Sequence, residues 1–187
     1  MTQANTVCIV GTGASAGGLQ PMIEFFSAMP DEPGIAFVVV QHTDSTSRSQ
    51  LPEILSRHSK MPIELAEDGT VIERDCIYVV PGHMHAALDG DRLRLTATER
   101  DGAFDVIDFF FRSLAASQRE CAIGVLLSGT GSDGALGLRE IRVAGGLSIA
   151  QDPEEATYDS MPAAAIRTGF VDRVLKVAEM PAAIVAY

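Results

Sequence analysis

A serine in a glycine-rich turn is the first residue of the chain that could do chemistry. Ser15 lies in the sequence Gly-Ala-Ser-Ala-Gly over residues 13–17, which fits the G-x-S-x-G pattern of a nucleophile on a sharp strand-to-helix turn. The small neighbours leave room for a bend that exposes the hydroxyl, and the N–H groups of the following helix could stabilise an oxyanion. Turns of this kind also bind phosphate, so the pattern alone leaves a nucleotide site as an alternative.

An imidazole and a carboxylate follow two further apolar runs. His42 ends the run 37–41, and Asp133 lies in a second glycine-rich turn after the run 122–127. An imidazole can take the proton of a serine, and a carboxylate can orient the imidazole. Taken singly, His42 also fits a structural histidine and Asp133 a helix N-cap. Because sites in parallel sheets form where the strands end, the coincidence predicts that Ser15, His42 and Asp133 form a catalytic triad.

The elements that must position these side chains alternate between strands and helices. We predict buried strands at 6–10, 35–40, 77–80, 122–127 and 147–150, and helices ending near Ala28, at 49–58, around 107–114 and ending near Val143. This order is typical of an α/β fold with a doubly wound, mostly parallel sheet and helices on both faces. The Asp89-Gly90 pair precedes an alternating run at 92–95, which predicts a small antiparallel hairpin whose first arm is the strand at 77–80.

A dinucleotide-binding turn is the main competitor for the first glycine-rich segment. Such a fold usually places an acidic residue or an arginine at the end of the second strand to hold the ribose. Here Gln41 and His42 occupy that place. No tyrosine has a lysine four residues later, as short-chain dehydrogenases require, and no Gly-Lys-Ser/Thr phosphate loop occurs. These absences favour the hydroxyl, imidazole and carboxylate interpretation.

Composition excludes several classes of function. The chain has 187 residues, with 14 basic and 25 acidic side chains and a formal net charge of −11. This charge argues against duplex nucleic acid and anionic membrane surfaces as partners, because both are bound through clustered Lys and Arg. No apolar run approaches the roughly 18 residues of a membrane span, and the N-terminus does not resemble a secretory signal. We therefore expect one cytoplasmic domain covering residues 1–187.

The cysteines and a histidine pair give no better candidate site. Cys8, Cys76 and Cys121 lie in or beside apolar runs, which predicts reduced core thiols rather than a disulfide frame, with a catalytic cysteine as the alternative. His83 and His85 could together bind a metal, but no cysteine or carboxylate cluster nearby completes a ligand set. We expect neither a metal nor an organic cofactor.

Several blocks that span nearly the whole chain resemble the catalytic domain of the CheB family, the chemotaxis protein-glutamate methylesterases. The matching blocks are Gly13-Ala14-Ser15-Ala16-Gly17-Gly18, Val39-Val40-Gln41-His42, Ala66-Glu67-Asp68-Gly69, Tyr78-Val79-Val80-Pro81-Gly82, Ser128-Gly129-Thr130-Gly131-Ser132-Asp133-Gly134-Ala135, Ala144-Gly145-Gly146, Ala150-Gln151-Asp152 and Met161-Pro162. The runs 109–114 and 128–131 look most similar to methylesterase domains that are fused to a receptor methyltransferase.

The resemblance implies a doubly wound sheet with a small hairpin, and a serine hydrolase that demethylates glutamate methyl esters on chemoreceptors and also deamidates glutamines. It implies Ser15 as the nucleophile, His42 as the general base and acid, and Asp133 as the carboxylate that orients the imidazole. The implied partners are methylated chemoreceptor helices, with a receptor methyltransferase or a response-regulator domain as further partners. No cofactor or metal belongs to this chemistry.

The chain departs from the family pattern in three places. Ala16 stands where a threonine is common, and Thr130 stands where a methionine is common. Only about six residues precede the first predicted strand, so we expect no receiver domain in this chain. Two other functions stay open: a non-catalytic module that binds a receptor or an adjoining domain, and a triad esterase with another substrate.

Overall fold

The computed structural model describes residues 7–42, 50–82, 84–98 and 105–187, which contain nine strands and six α-helices. The strands are β1 (Ile9–Ala14), β2 (Ala36–Gln41), β3 (Ile63–Leu65), β4 (Ile77–Val79), β5 (Met84–Asp89), β6 (Arg92–Ala97), β7 (Ala122–Leu126), β8 (Leu147–Gln151) and β9 (Arg173–Leu175). The helices are α1 (Leu19–Ala28), α2 (Leu51–Leu55), α3 (Val106–Gln118), α4 (Ala135–Val143), α5 (Ser160–Arg167) and α6 (Met180–Val185). Short 3₁₀ turns lie at Arg119–Cys121 and Val177–Glu179.

Within the described part of the chain, seven parallel strands form one sheet in the order β3-β4-β2-β1-β7-β8-β9. The strand order turns back at β1, which lies between β2 and β7. Loops that leave the carboxyl ends of these three strands diverge toward opposite faces of the sheet, and the gap between them is where α/β folds bind ligands. The predicted α/β class with a doubly wound parallel sheet is confirmed.

Helices cover both faces of the sheet, and each face has its own apolar core. On one face α3, α4 and α5 bury aromatic and aliphatic side chains that include Phe110, Phe111 and Ile141. On the other face α1, α2 and α6 pack over β2, where the rings of Phe25, Phe26 and Phe37 meet edge to face. Strands covered on both sides need continuous apolar runs, which is why the central strands have that pattern in the sequence.

The first strand is displaced relative to the predicted 6–10, because it begins at Ile9 and continues to Ala14. Its two glycines allow α3 to approach the sheet closely. A Cβ at Gly11 would lie 2.9 Å from Phe111 Cε1, and a Cβ at Gly13 would overlap Ile107 Cγ2. The glycine-rich segment is therefore partly strand, and its first glycines serve helix packing rather than the turn.

The antiparallel hairpin is present, but its first arm is not the one predicted. β5 and β6 pair with each other as a separate two-stranded sheet, from Met84 opposite Ala97 to Asp89 opposite Arg92. The prediction that the strand at 77–80 forms that arm is wrong, because as β4 it pairs in parallel with β2 and β3. The hairpin lies against α3, where the Leu88 N–H donates to Ser113 Oγ at 2.7 Å.

Several elements differ from the sequence prediction or have no counterpart in it. The helix predicted at 49–58 is reduced to α2, and residues 43–49 lie outside the described residues. The sequence pattern does not indicate β3, α5, β9 or α6. Cys76 is buried, Cys8 and Cys121 are half-buried, and all three are free thiols. No described helix is both long and apolar enough to span a membrane.

Candidate active site

A cavity of about 1020 Å³ opens at the carboxyl ends of β1, β2 and β7. The three residues predicted to form the triad, Ser15, His42 and Asp133, all line it. They come from three different turns that are distant in sequence, so the fold alone brings them to one place. The strand-end argument from the sequence therefore locates the cavity correctly.

Ser15 directly follows β1 and is held from both sides by backbone hydrogen bonds. Its N–H donates to the Ser128 carbonyl oxygen at 3.0 Å, and its own carbonyl accepts the Gly18 N–H at 3.0 Å. Gly17 has φ +71°, a left-handed conformation that glycine adopts without strain. This tight turn starts α1 just beyond the serine, and it leaves the Ser15 side chain partly exposed at the cavity.

His42 occupies the corresponding place on the neighbouring strand. Ala14 pairs with Gln41 in the parallel register, so Ser15 and His42 are the residues that follow this pair on the two adjacent strands. The His42 N–H donates to the Ala14 carbonyl oxygen at 3.0 Å, which extends the ladder by one bond. Neighbouring parallel strands lie about 4.8 Å apart, so the register places the backbones of Ser15 and His42 side by side at the cavity.

The Asp133 carboxylate is anchored by the first turn of α3. Its Oδ2 accepts the Ile107 N–H at 3.0 Å and its Oδ1 accepts the Asp108 N–H at 2.9 Å. The sequence leaves an N-cap of the following helix as an alternative for this residue, but α4 has Gly134 at its N-cap position and no side-chain cap. Asp133 instead satisfies two free N–H groups of a different helix.

Burial raises the pKa of Asp133 above the ordinary aspartate value, and the nearby negative charge of Asp108 raises it further. The N–H groups of Asp108 and Ile107 act in the opposite direction, because they stabilise the charged form. Among the described residues that line the cavity, only His42 and Asp133 are ionisable. The cavity wall is otherwise neutral, with serine, threonine, glutamine, methionine and backbone groups.

Ser128 is a buried residue of the site that the sequence argument missed. Its Oγ donates to the Ala16 carbonyl oxygen at 3.0 Å and accepts the Tyr158 N–H at 3.0 Å, and its N–H donates to Gln151 Oε1 at 2.8 Å. These bonds join the Ser15 turn to the ends of β7 and β8. Ser128 and Gln151 follow or end predicted strands, so the rule that selected His42 could have found them.

The remaining histidine candidate lies away from the cavity. His85 Nε2 is 3.1 Å from Asp105 Oδ1, and its ring stacks on Phe109 with the centroids 4.4 Å apart. The other half of the predicted pair, His83, lies outside the described residues. Across the part of the chain that the structure describes, no group of three His, Cys, Asp or Glu side chains could hold a metal ion.

Comparison with known proteins gives consistent matches. The model of the CheB methylesterase family matches residues 10–184. The crystal structure of the Thermotoga maritima CheB methylesterase catalytic domain superposes with a TM-score of 0.89 at 28% sequence identity, covering 97% of this chain and 98% of that one.

Two curated relatives are longer than this chain and match it over part of their length. A protein-glutamate methylesterase/protein-glutamine glutaminase of Burkholderia thailandensis is 35% identical over 173 residues, which cover 89% of this chain and 48% of that protein. An uncharacterised 104.1 kDa protein of Rhodobacter capsulatus is 42% identical over 125 residues, which cover 67% of this chain and 13% of that protein. The chain therefore spans about half of the first relative and a small part of the second.

Proposed function

The chain belongs to the CheB methylesterase family, and on that premise we propose that it hydrolyses the methyl esters of glutamate side chains on chemoreceptors during chemotaxis adaptation. Deamidation of glutamine side chains is the second proposed reaction, because the relatives carry both activities in their names. The observation that carries the proposal is the meeting of Ser15, His42 and Asp133 in one cavity.

In the proposed reaction, His42 takes the proton of Ser15 as the serine oxygen attacks the ester carbonyl. The tetrahedral intermediate collapses when the imidazolium returns this proton to the methoxide, which leaves as methanol. Water then attacks the acyl-serine with His42 again acting as the base, and a glutamate carboxylate is released. Asp133 holds the imidazole in one tautomer and stabilises the imidazolium.

The proposed oxyanion site consists of backbone N–H groups. Ala16, directly after the nucleophile, and Thr130, in the turn after β7, both line the cavity next to Ser15. Each well-placed N–H contributes about 2.7–4 kcal/mol to transition-state stabilisation. Because backbone groups supply this stabilisation, the exchange of the common family residues for Ala16 and Thr130 leaves it intact.

The neutral wall of the cavity fits a neutral ester or amide better than a carboxylate. A glutamate methyl ester and a glutamine are uncharged, whereas the product of either reaction carries a negative charge. The product would lie close to Asp133 with no cationic side chain among the described lining residues except His42 when protonated. Like charges at short distance repel, so the cavity favours product release.

For the partner, we propose the methylated cytoplasmic helices of a chemoreceptor, and for the location the cytoplasm. A receptor methyltransferase or a response-regulator domain is the proposed regulatory partner. The chain has a formal net charge of −11. Docking on receptors must therefore depend on local surface patches and not on the overall charge.

The test is methanol release from receptor membranes that carry radiolabelled methyl groups. Wild-type protein should release methanol, and Ser15→Ala should reduce the rate at least about a thousandfold, because the covalent route is lost. Ser27→Ala is the matched control, since Ser27 lies exposed on α1 with its hydroxyl bonded to the Ile23 carbonyl. The control should keep the wild-type rate.

Two results would contradict the proposal in different ways. Hydrolysis of small esters without methanol release from receptors would indicate a triad esterase with another substrate. Receptor binding without turnover of any ester would indicate a non-catalytic module.

A further inference from the structure

Asp108 is a buried carboxylate beside the proposed triad that the reaction scheme does not use. It lies in the first turn of α3 with 8% of its surface exposed. Its Oδ1 accepts the Gly137 N–H, in the first turn of α4, at 2.6 Å. Its Oδ2 lies 4.0 Å from the Arg112 guanidinium. A buried charge needs such partners, and here one of them is the start of the helix that follows Asp133.

Asp133 and Asp108 bind the N-terminal turns of α3 and α4 reciprocally. Asp133, in the turn that leads into α4, accepts two N–H groups from the first turn of α3. Asp108, in that first turn of α3, accepts an N–H group from the first turn of α4. Each carboxylate therefore lies at the positive end of the other helix, and together they close a ring of hydrogen bonds between the two helices.

The close approach of the helices depends on Gly137. A Cβ at this position would overlap Phe111 Cβ and would lie 3.2 Å from the Asp108 carbonyl oxygen. With glycine there, the N–H can reach the Asp108 carboxylate directly. Asp133 is therefore held by the first turn of α3, and Asp108 contributes a direct hydrogen bond between that turn and the start of α4.

We propose that Asp108 is a positioning residue of the active site, which acts on the reaction by fixing the orientation and the charged surroundings of the Asp133 carboxylate. This inference rests on the proposed function for its catalytic consequence. It assigns Asp108 no contact with the substrate. Its effect reaches His42 only through Asp133.

Charge gives the proposal a signature that a purely structural role lacks. The groups that face Asp133 are Asp108, the N–H groups of Ile107 and Asp108 in α3, and the N–H of Gly134. Those that face Asp108 are Asp105, Arg112 and the N–H groups of Gly134 and Gly137. Removing the Asp108 charge takes away a repulsion from Asp133 and lowers the pKa of Asp133.

The experiment compares Asp108→Asn and Asp108→Ala in the intact chain. Asparagine keeps an oxygen that can accept the Gly137 N–H, whereas alanine leaves that N–H without its partner. We expect Asp108→Ala to lower kcat about 10- to 100-fold, with KM changed less than about twofold, because misplacement of a catalytic group affects the chemical step. Asp108→Asn should recover most of kcat, because its side-chain oxygen still accepts the Gly137 N–H.

Asp172→Asn is the matched control. Asp172 Oδ2 also accepts a backbone N–H, from Ser148 at 3.0 Å, and its Oδ1 pairs with Arg142, but it does not line the cavity. This variant should lose stability without any change in kcat or KM. A wild-type kcat in both Asp108 variants would overturn the proposal.

A second measurement keeps the inference separate from the proposed function. A ¹³C NMR titration of the Asp133 carboxyl needs no substrate. In Asp108→Asn the midpoint should move to lower pH, and an unchanged midpoint would overturn the proposal even in an active enzyme. A wild-type protein that hydrolyses no ester contradicts the proposed function alone, and the titration then still decides whether Asp108 controls Asp133.

Discussion

Gly129 offers a sharp test of how closely the nucleophile is packed. A Cβ added at Gly129 would overlap the Met161 methyl group and would lie 2.7 Å from Met161 Sδ and 3.0 Å from Ser15 Cβ. The backbone there cannot move away easily, since the Gly129 N–H donates to the Tyr158 carbonyl and the Gly129 carbonyl accepts the Met161 N–H, both at 3.0 Å. In Gly129→Ala, the flexible methionine must rotate and Ser15 must shift by a few tenths of an ångström.

The expected size of both effects follows from this geometry. Overpacking a dense core costs about 1–3 kcal/mol of unfolding free energy. For a chain of this size, each kcal/mol corresponds to about 2–4 °C in Tm. A displaced nucleophile should lower kcat by about 10- to 100-fold, because catalysis depends on a near-attack geometry. KM should change less than kcat, because Met161 is the one other lining residue that has to move.

The assay measures kcat for methyl-ester hydrolysis alongside thermal unfolding, with Gly169→Ala as the control. Gly169 has φ +76°, and a Cβ added there would have no other atom within 4 Å, so alanine costs about 1 kcal/mol through backbone strain alone. This variant should show a reduced Tm and wild-type kcat. If Gly129→Ala loses stability but keeps wild-type kcat, the inferred packing of Ser15 against Gly129 is wrong.

Three further outcomes can be measured independently. Ser128→Ala removes a buried hydroxyl that donates to the Ala16 carbonyl and accepts the Tyr158 N–H. We expect a loss of about 1–3 kcal/mol in chemical denaturation, and a loss below the error of the measurement would contradict the assigned bonds. Burial raises the pKa of Asp108 above its ordinary value of 3.8. The contribution of this carboxyl group to the free energy of unfolding is therefore fully present below pH 3.8, and it is lost as the pH rises through the pKa of the folded state. Unfolding free energy should therefore fall more steeply from acid to neutral pH in wild type than in Asp108→Asn, and parallel curves would refute this sign. Burial and the neighbouring Cys121 thiol raise the pKa of Cys8 to about 11, so its alkylation rate, followed by peptide mass spectrometry, should rise about tenfold per pH unit up to that range, whereas a plateau near the ordinary thiol pKa would contradict it.

The sequence predicts the class of fold and the place of the site because both depend on strong local patterns. The runs 35–40 and 122–127 are apolar throughout, as strands covered on both faces must be. His42 follows the first of these runs closely and Asp133 lies in the turn after the second, so both are expected at the carboxyl edge of a parallel sheet. The cavity at that edge follows from the strand order alone.

Contacts between distant segments could not be predicted in the same way. The extension of β1 over Gly11 and Gly13 depends on the approach of α3, about a hundred residues later in the chain. The hairpin arm at 84–89 contains His85 and Asp89 and lacks the apolar continuity of the strand at 77–80, so the pattern favours the wrong arm.

Asp108 and Ser128 show why supporting residues of a site are hard to find. Asp108 is a charged residue among apolar neighbours at the start of α3, and the sequence alone does not show that it is buried against the N-terminus of α4. The strand-end rule could have selected Ser128, but it does not identify the groups that the Ser128 hydroxyl binds. In both cases the partner is a backbone N–H or carbonyl from another element, and the pattern of side-chain types in the sequence does not indicate such partners.

The most direct test of the account is covalent labelling with a fluorophosphonate, detected as the mass and position of the adduct. A serine activated by a neighbouring imidazole reacts with this electrophile, whereas an ordinary surface serine does not. The account predicts one adduct, on Ser15, with the labelling rate reduced at least about a hundredfold in His42→Ala. An adduct on another residue, no adduct in wild-type protein, or labelling of Ser15 at an unchanged rate without His42 would contradict the central claim.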